Sequence, residues 1–125
     1  MRDRFTFEIE SLKQRLLDLA TAADRALVRA IRAVDGASPD EARAVITADS
    51  AIDAEEVTIE EECLKLMALY QPVAGDLRLI VTILKVNGEL ERVADLASNI
   101  AARAIDMAAA PAPAECRFDF APIVE

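Results

Sequence analysis

Leu79-Ile80-Val81-Thr82-Ile83-Leu84-Lys85-Val86-Asn87-Gly88-Glu89-Leu90-Glu91-Arg92-Val93-Ala94-Asp95-Leu96-Ala97-Ser98-Asn99-Ile100-Ala101 is the stretch whose reading decides the fold. Its apolar residues recur at alternating steps of three and four. They run through Leu79, Ile83, Val86, Leu90, Val93, Ala97 and Ile100 and on to Ala104 and Met107. That spacing keeps one stripe on one side of a long α-helix, so the row is expected to form its packed seam. A neighbouring row begins apolar with Leu77, Ile80 and Leu84, then turns polar at Asn87, Glu91 and Ser98, with Asp95 and Asn99 beside it. Packing alone does not require that change. Glu91 and Asp95 stand one turn apart on one face, which makes them the first candidates for chemistry.

Before this stretch comes Gln71-Pro72-Val73-Ala74-Gly75-Asp76-Leu77-Arg78. Gln71 must leave helical geometry because a proline follows it, and Pro72 is expected to start the third helix. Asp76 suits the positive end of that helix. Upstream, a second stripe passes through Ala42, Val45, Asp49, Ile52, Glu56, Ile59, Cys63, Leu66 and Tyr70. Asp49 and Glu56 occupy apolar positions of this stripe. Burying an unpaired carboxylate costs several kcal/mol, roughly what a small domain has to spare, so these two are either hydrated at the stripe's edge or paired. A first stripe runs Phe5, Ile9, Leu12, Leu16, Leu19, Ala23, Ala26, Ala30, Val34. Between the first two helices, Gly36 is expected to take a left-handed C-terminal conformation. Ser38 should cap the next helix, with Pro39 at its first position and Glu41 completing a capping box. The expected fold is therefore all-α: an antiparallel bundle of three long helices, at about 4–34, 39–70 and 72–109, each ~45 Å or longer.

Composition agrees. Hydrophobic residues make up 54% of the 125-residue chain, with three glycines. Ala and Leu favour helix, and turn residues are scarce. A formal charge of −9 argues against a nucleic-acid partner, because phosphate binding needs clustered Lys and Arg. No apolar run approaches the ~20 residues that cross a bilayer. Met1-Arg2-Asp3-Arg4-Phe5 lacks the apolar core of a signal peptide, and Cys63 and Cys116 do not make a disulfide framework, so a cytoplasmic setting is expected. The chain has no histidine, which removes His-based triads, His–Cys zinc sites and the Glu-x-x-His di-iron motif. Cys63 reads as a small core residue, and Asn87 with Gly88 as a thin spot for close helix contact, with a place in the metal site as the alternative. Residues 1–109 are expected to form one domain. Residues 110–125 read as a Pro/Ala-rich linker followed by the start of a further helix at Phe118.

Asp49 and Asp53 form a second one-turn pair. Their midpoint lies about 20 residues before Gln71, and that of Glu91 and Asp95 about 20 residues after the turn. At ~1.5 Å per residue both pairs stand ~30 Å from the same turn. Four carboxylates from adjacent helices can thus meet on one patch, where they repel unless a cation, a proton or a basic side chain compensates them. Oxygen ligation without His or Cys suits Mg²⁺, Mn²⁺, Ca²⁺ or ferric iron better than zinc.

Three segments in order resemble the PhoU family of bacterial phosphate-uptake regulators. They are Asp49-x-x-Ile52-Asp53-x-x-Glu56, Gln71-Pro72-Val73-Ala74-x-Asp76-Leu77-Arg78-x-Ile80, and Leu90-Glu91-Arg92-Val93-Ala94-Asp95-Leu96-Ala97-x-Asn99-Ile100-Ala101. The resemblance spans about Phe5 to Met107 and implies a three-helix, spectrin-repeat-like domain. It implies metal ligation by Asp49, Asp53, Glu91 and Asp95, with Glu56 and Asn99 as secondary candidates, and iron or zinc as the metal, with Mg²⁺ or Mn²⁺ as alternatives. It also implies a non-enzymatic negative regulator that contacts the phosphate ABC transporter and its sensor histidine kinase, peripheral to the inner membrane through those partners.

Family members usually carry two such domains in tandem and this sequence carries one, so it reads as an N-terminal half or as a one-domain form. Leu77, Ile80 and Leu84 of helix three, with Leu17, Leu27 and Ile31 of helix one, lie outside the seams. They are expected to support a homodimer. The rivals from other classes are a carboxylate-bridged metal enzyme on a helical bundle and a purely structural helical module.

Overall fold

The computed structural model describes residues 2–36 and 38–109. Expectations for residues 110–125, Cys116 included, lie outside the described residues. The chain forms α1 (Arg2–Gly36), α2 (Pro39–Tyr70) and α3 (Ala74–Ala109), packed as an antiparallel bundle in which each helix contacts both others. None of these helices is long and apolar enough to cross a membrane.

On α1 the core residues are Phe5, Ile9, Leu12, Leu19, Ala23, Ala26, Ala30 and Ala33. On α2 they are Ala42, Val45, Ile52, Ile59, Cys63 and Leu66, with Glu56 buried among them. Both follow the expected stripes except at Leu16 and Val34 of α1 and Asp49 and Tyr70 of α2, which are only partly buried. On α3 the buried row is Ile80, Ile83, Asn87, Ala94, Ala97, Ala101 and Ala104. This corrects the sequence expectation. Leu79, Leu90 and Ile100 are only partly buried, and Val86 is exposed. The core axis runs through the smaller residues between the two expected rows, because α3 packs against two neighbours and buries a wider face than one seam. Small side chains on that axis let the three helix backbones approach, and the larger Leu79, Leu90 and Ile100 close the flanks.

Ser38 accepts a hydrogen bond from the Glu41 amide at 3.3 Å, and Pro39 begins α2 as expected. The capping box is not completed, because the Glu41 carboxylate binds Arg29 at 3.1 Å instead. Gly36 is the last residue of α1 and its φ is not positive, which corrects the left-handed expectation. The left-handed residues lie at the other connection. Gln71 has φ 45° and donates its amide to the Met67 carbonyl at 3.0 Å, and Ala74 has φ 52°. Two such non-glycine residues cost on the order of 1 kcal/mol each or more. Pro72 and Val73 lie between them, so α3 starts at Ala74 rather than at Pro72. Gly88 is exposed and a Cβ built there meets nothing within 4 Å, so no close helix approach explains it. Beside the Gln71 turn, the rings of Phe5 and Tyr70 meet at 4.9 Å between centroids with their planes tilted by 55°, tying α1 to α2.

Of the apolar residues outside the expected seams, Ile80 is buried within this chain and cannot serve an outside partner. Leu17 and Leu77 are exposed, and Leu84, Leu27 and Ile31 are partly buried.

Candidate metal centre

The tight α2–α3 hairpin brings the two carboxylate pairs to one level. One oxygen from each of Asp49, Asp53 and Asp95 lies within 4.8 Å of the other two. Asp49 is half-buried, whereas Asp53 and Asp95 are exposed. Oδ1 of Asp49 is buried and accepts no hydrogen bond. Asp53 is held above the ordinary carboxylate range, first by desolvation and then by the charges of Asp49, Asp95 and Glu91. At such separations two carboxylates repel by ~1 kcal/mol in a water-like medium and ~3 kcal/mol at the effective dielectric near a protein surface. Because Asp53 and Asp95 are exposed, the lower figure applies to most of this repulsion, about 3 kcal/mol over the three pairs, still a sizeable part of a domain's ~5–15 kcal/mol of stability.

Among the described residues no lysine or arginine pairs with these aspartates. The arginines of α1 that reach α2 do so on its other flank. Arg15 forks onto Glu55 with contacts of 2.9 and 3.4 Å, and Arg29 reaches Glu41. Glu55 is two residues from Asp53, which turns it ~200° around the helix. Arg92 pairs with Glu89 at 3.8 Å in solvent. Hard cations take oxygen ligands at ~2.0–2.6 Å, so two oxygens of one coordination shell stand up to ~5 Å apart. The three aspartate oxygens fall inside that span, and Asp49 offers a buried lone pair with no other use. The residues present fit an oxygen-ligated cation.

Glu91 is placed differently. It is hydrogen-bonded to Glu56, although its charge still acts on Asp53. Glu56 is buried, and its carboxyl is pushed up to about 7, chiefly by burial and then by the bond to Glu91 and that group's charge. Glu56 and Glu91 thus face each other across the α2–α3 seam, with Glu56 the readier of the two to take up a proton. Of the two alternatives for Glu56, burial favours the paired one over the hydrated one. The signal was present in the sequence, since Glu56 sits on the apolar stripe one turn from Ile52 and Ile59. Asn87 is also buried, and its Nδ2 donates to the Glu56 carbonyl at 2.9 Å. The thin spot expected at Asn87 is thus an inter-helix hydrogen bond. Asn99 is exposed one turn beyond Asp95. Cys63 is fully buried and its thiol is pushed up to about 11 by burial, consistent with a core residue rather than a nucleophile. A shallow groove of about 380 Å³ between α1 and α2 is lined by Arg15, Asp18, Ala22, Ile52 and Glu55. Arg15 and Glu55 pair with each other there, and Asp18 accepts a hydrogen bond from Gln14.

The Glu56 carboxyl gives a pH dependence of definite sign. Its folded value lies above its ordinary 4.5, so the folded state binds a proton the unfolded chain releases. The stability it contributes is fully present below about 4.5 and is lost as pH rises through about 7. Glu56→Gln keeps the neutral hydrogen bond at every pH. In metal-free buffer the variant should match the wild type near pH 4 and exceed it near pH 8 by on the order of 1–3 kcal/mol. Urea denaturation across pH 4–8 measures this; parallel curves would show that Glu56 does not retain its proton.

The PhoU domain family model matches residues 16–104. The chain is 42% identical over 104 residues to the phosphate-specific transport system accessory protein PhoU homolog of Aquifex aeolicus, covering 83% of this chain and 47% of that protein. It is 35% identical over 103 residues to the accessory protein PhoU of Escherichia coli K12, covering 82% and 43%. With the Deinococcus radiodurans homolog it shares 33% identity over 112 residues, covering 90% and 53%. It spans about half the length of the curated relatives it matches. A three-helix bundle with acidic pairs level across its α2–α3 hairpin, matched by that family model over most of its length, belongs to the PhoU family.

Proposed function

We propose that residues 1–109 form a cation-binding PhoU domain that regulates phosphate uptake through protein contacts, without catalytic turnover. One observation carries the metal reading: Asp49, Asp53 and Asp95 converge from two helices with no basic partner among the described residues, in a chain of this family. Asp49, Asp53 and Asp95 hold the cation and Glu91 joins them when it leaves Glu56, with Glu56 and Asn99 behind. The cation supplies charge compensation, which lets α2 and α3 remain close over their outer halves. Iron, zinc, Mg²⁺ and Mn²⁺ are the candidates. Asp53→Asn with Asp95→Asn should remove most bound metal and leave helicity intact. Elemental analysis with circular dichroism reads both, and wild-type metal content in the double variant would place the metal elsewhere.

The relatives' names connect them to phosphate-specific transport as accessory proteins, which supports a regulatory role here. On this reading the chain acts in the cytoplasm as a negative regulator, touching the phosphate transporter and its sensor histidine kinase. Deleting the coding sequence in the host should raise phosphate import when phosphate is plentiful. Phosphate-regulon expression identical to wild type in the deletion strain would remove the regulatory reading.

Self-association follows from exposed apolar side chains. Leu17 and Leu77 are exposed, and Val57, Leu64 and Val81 join them on the outer surfaces of α2 and α3. A homodimer covers such residues as a second tandem domain would. Sedimentation should give twice the 13.6 kDa chain mass at micromolar concentration; a monomer that persists on concentrating would end this proposal.

A further inference from the structure

We infer that Asn87 is a positioning residue: its bond to the Glu56 backbone sets the register of α3 against α2, and that register brings Asp49, Asp53 and Asp95 together. Its bearing on the metal rests on the reading above, whereas the register itself does not.

Asn87 is 2% exposed. Its Nδ2 donates to the Glu56 carbonyl across the helix pair, while its Oδ1 is buried with no hydrogen-bond partner. A buried acceptor without a partner disfavours the fold, and an apolar side chain of similar size would not carry that cost. What Asn87 supplies instead is specificity, as a single polar residue does at the seam of paired helices.

The surroundings leave that task open. Beyond Asn87 the core face of α3 consists of Ala94, Ala97, Ala101 and Ala104. Side chains of equal, small size interlock weakly, so on this axis the larger contacts are left to the partly buried Leu90, Ile100 and Ile105 at the flanks. A slip of one helical turn is ~5.4 Å, which exceeds the 4.8 Å that contains the three aspartate oxygens. The three-residue turn limits slippage near Gln71, but the aspartates stand ~30 Å from it. Asn87 acts between the two, and it holds the residue whose carboxyl binds Glu91. One donor thus reaches the cluster by two routes: helix register and the Glu56–Glu91 pair.

The test uses Asn87→Leu, which removes the donor and keeps the side chain's branching and heavy-atom count. The first readout needs no metal. Spin labels on cysteines introduced at the exposed Thr47 and Arg103 report the α2–α3 distance by pulsed EPR in a Cys116→Ser background; Cys63 is buried and is left in place. The parent should show one narrow distance, and Asn87→Leu a broadened or displaced one, with a melting temperature equal to or above the parent's. The second readout is Mn²⁺ titration of the unlabelled proteins, where Asn87→Leu should bind at least tenfold more weakly. An unchanged distance distribution overturns the inference whatever the metal does. A changed distribution with unchanged Mn²⁺ affinity also overturns it, because register would then not govern the site. If the distribution changes and the parent binds no Mn²⁺, the register role stands and the metal reading falls. Should Asn87→Leu fail to fold, Asn87→Ala serves the same comparison.

Discussion

Repulsion among the carboxylates of α2 and α3 is the constraint on which the rest of this bundle depends. Asp49, Asp53 and Asp95 crowd one side of the helix pair, and Glu91 adds charge to the same side. The opposite side must hold the helices together. It does so with Ile52, Ile59, Cys63 and Leu66 on α2, Ile80 and Ile83 on α3, and the full length of α1. Burying one such isoleucine or leucine contributes roughly 1.5–3 kcal/mol, so a few of them match the repulsion. Where the acidic side passes into the core, burial and the neighbouring Glu91 raise the proton affinity of Glu56.

The same constraint explains why polar links are distributed as they are. The bonds joining α1 to α2 at Arg15–Glu55 and Arg29–Glu41 are partly exposed pairs, worth ~0–1 kcal/mol each. They take up arginines on the flank away from the aspartates. Between α2 and α3 the links are buried and both meet at Glu56, one through its backbone and one through its carboxyl. Buried polar contacts contribute little net stability but are intolerant of displacement. Apolar burial therefore holds the bundle together, and Glu56 with Asn87 determines its alignment beside the cluster.

Periodicity was enough to establish three long helices, the hairpin connections and the faces of α1 and α2. An apolar stripe at three-four spacing has few other solutions, and Ser38-Pro39 and Gln71-Pro72 interrupt it on physical grounds. Residue counting from the turn also set Asp49, Asp53 and Asp95 level, because helical rise is constant. Three quantities could not be read from the chain alone. The rotation of α3 was decided by two neighbouring helices at once, so its core axis fell between two rows only tens of degrees apart and ran through Asn87 and alanines. The pairing of Glu56 with Glu91, rather than with water, required the depth of burial that only the packed bundle supplies. The partner of Asn87 is a backbone carbonyl, a group every residue carries, so no side-chain pattern announces it. Sequence carries spacing along each helix; depth and rotation belong to the assembly of all three.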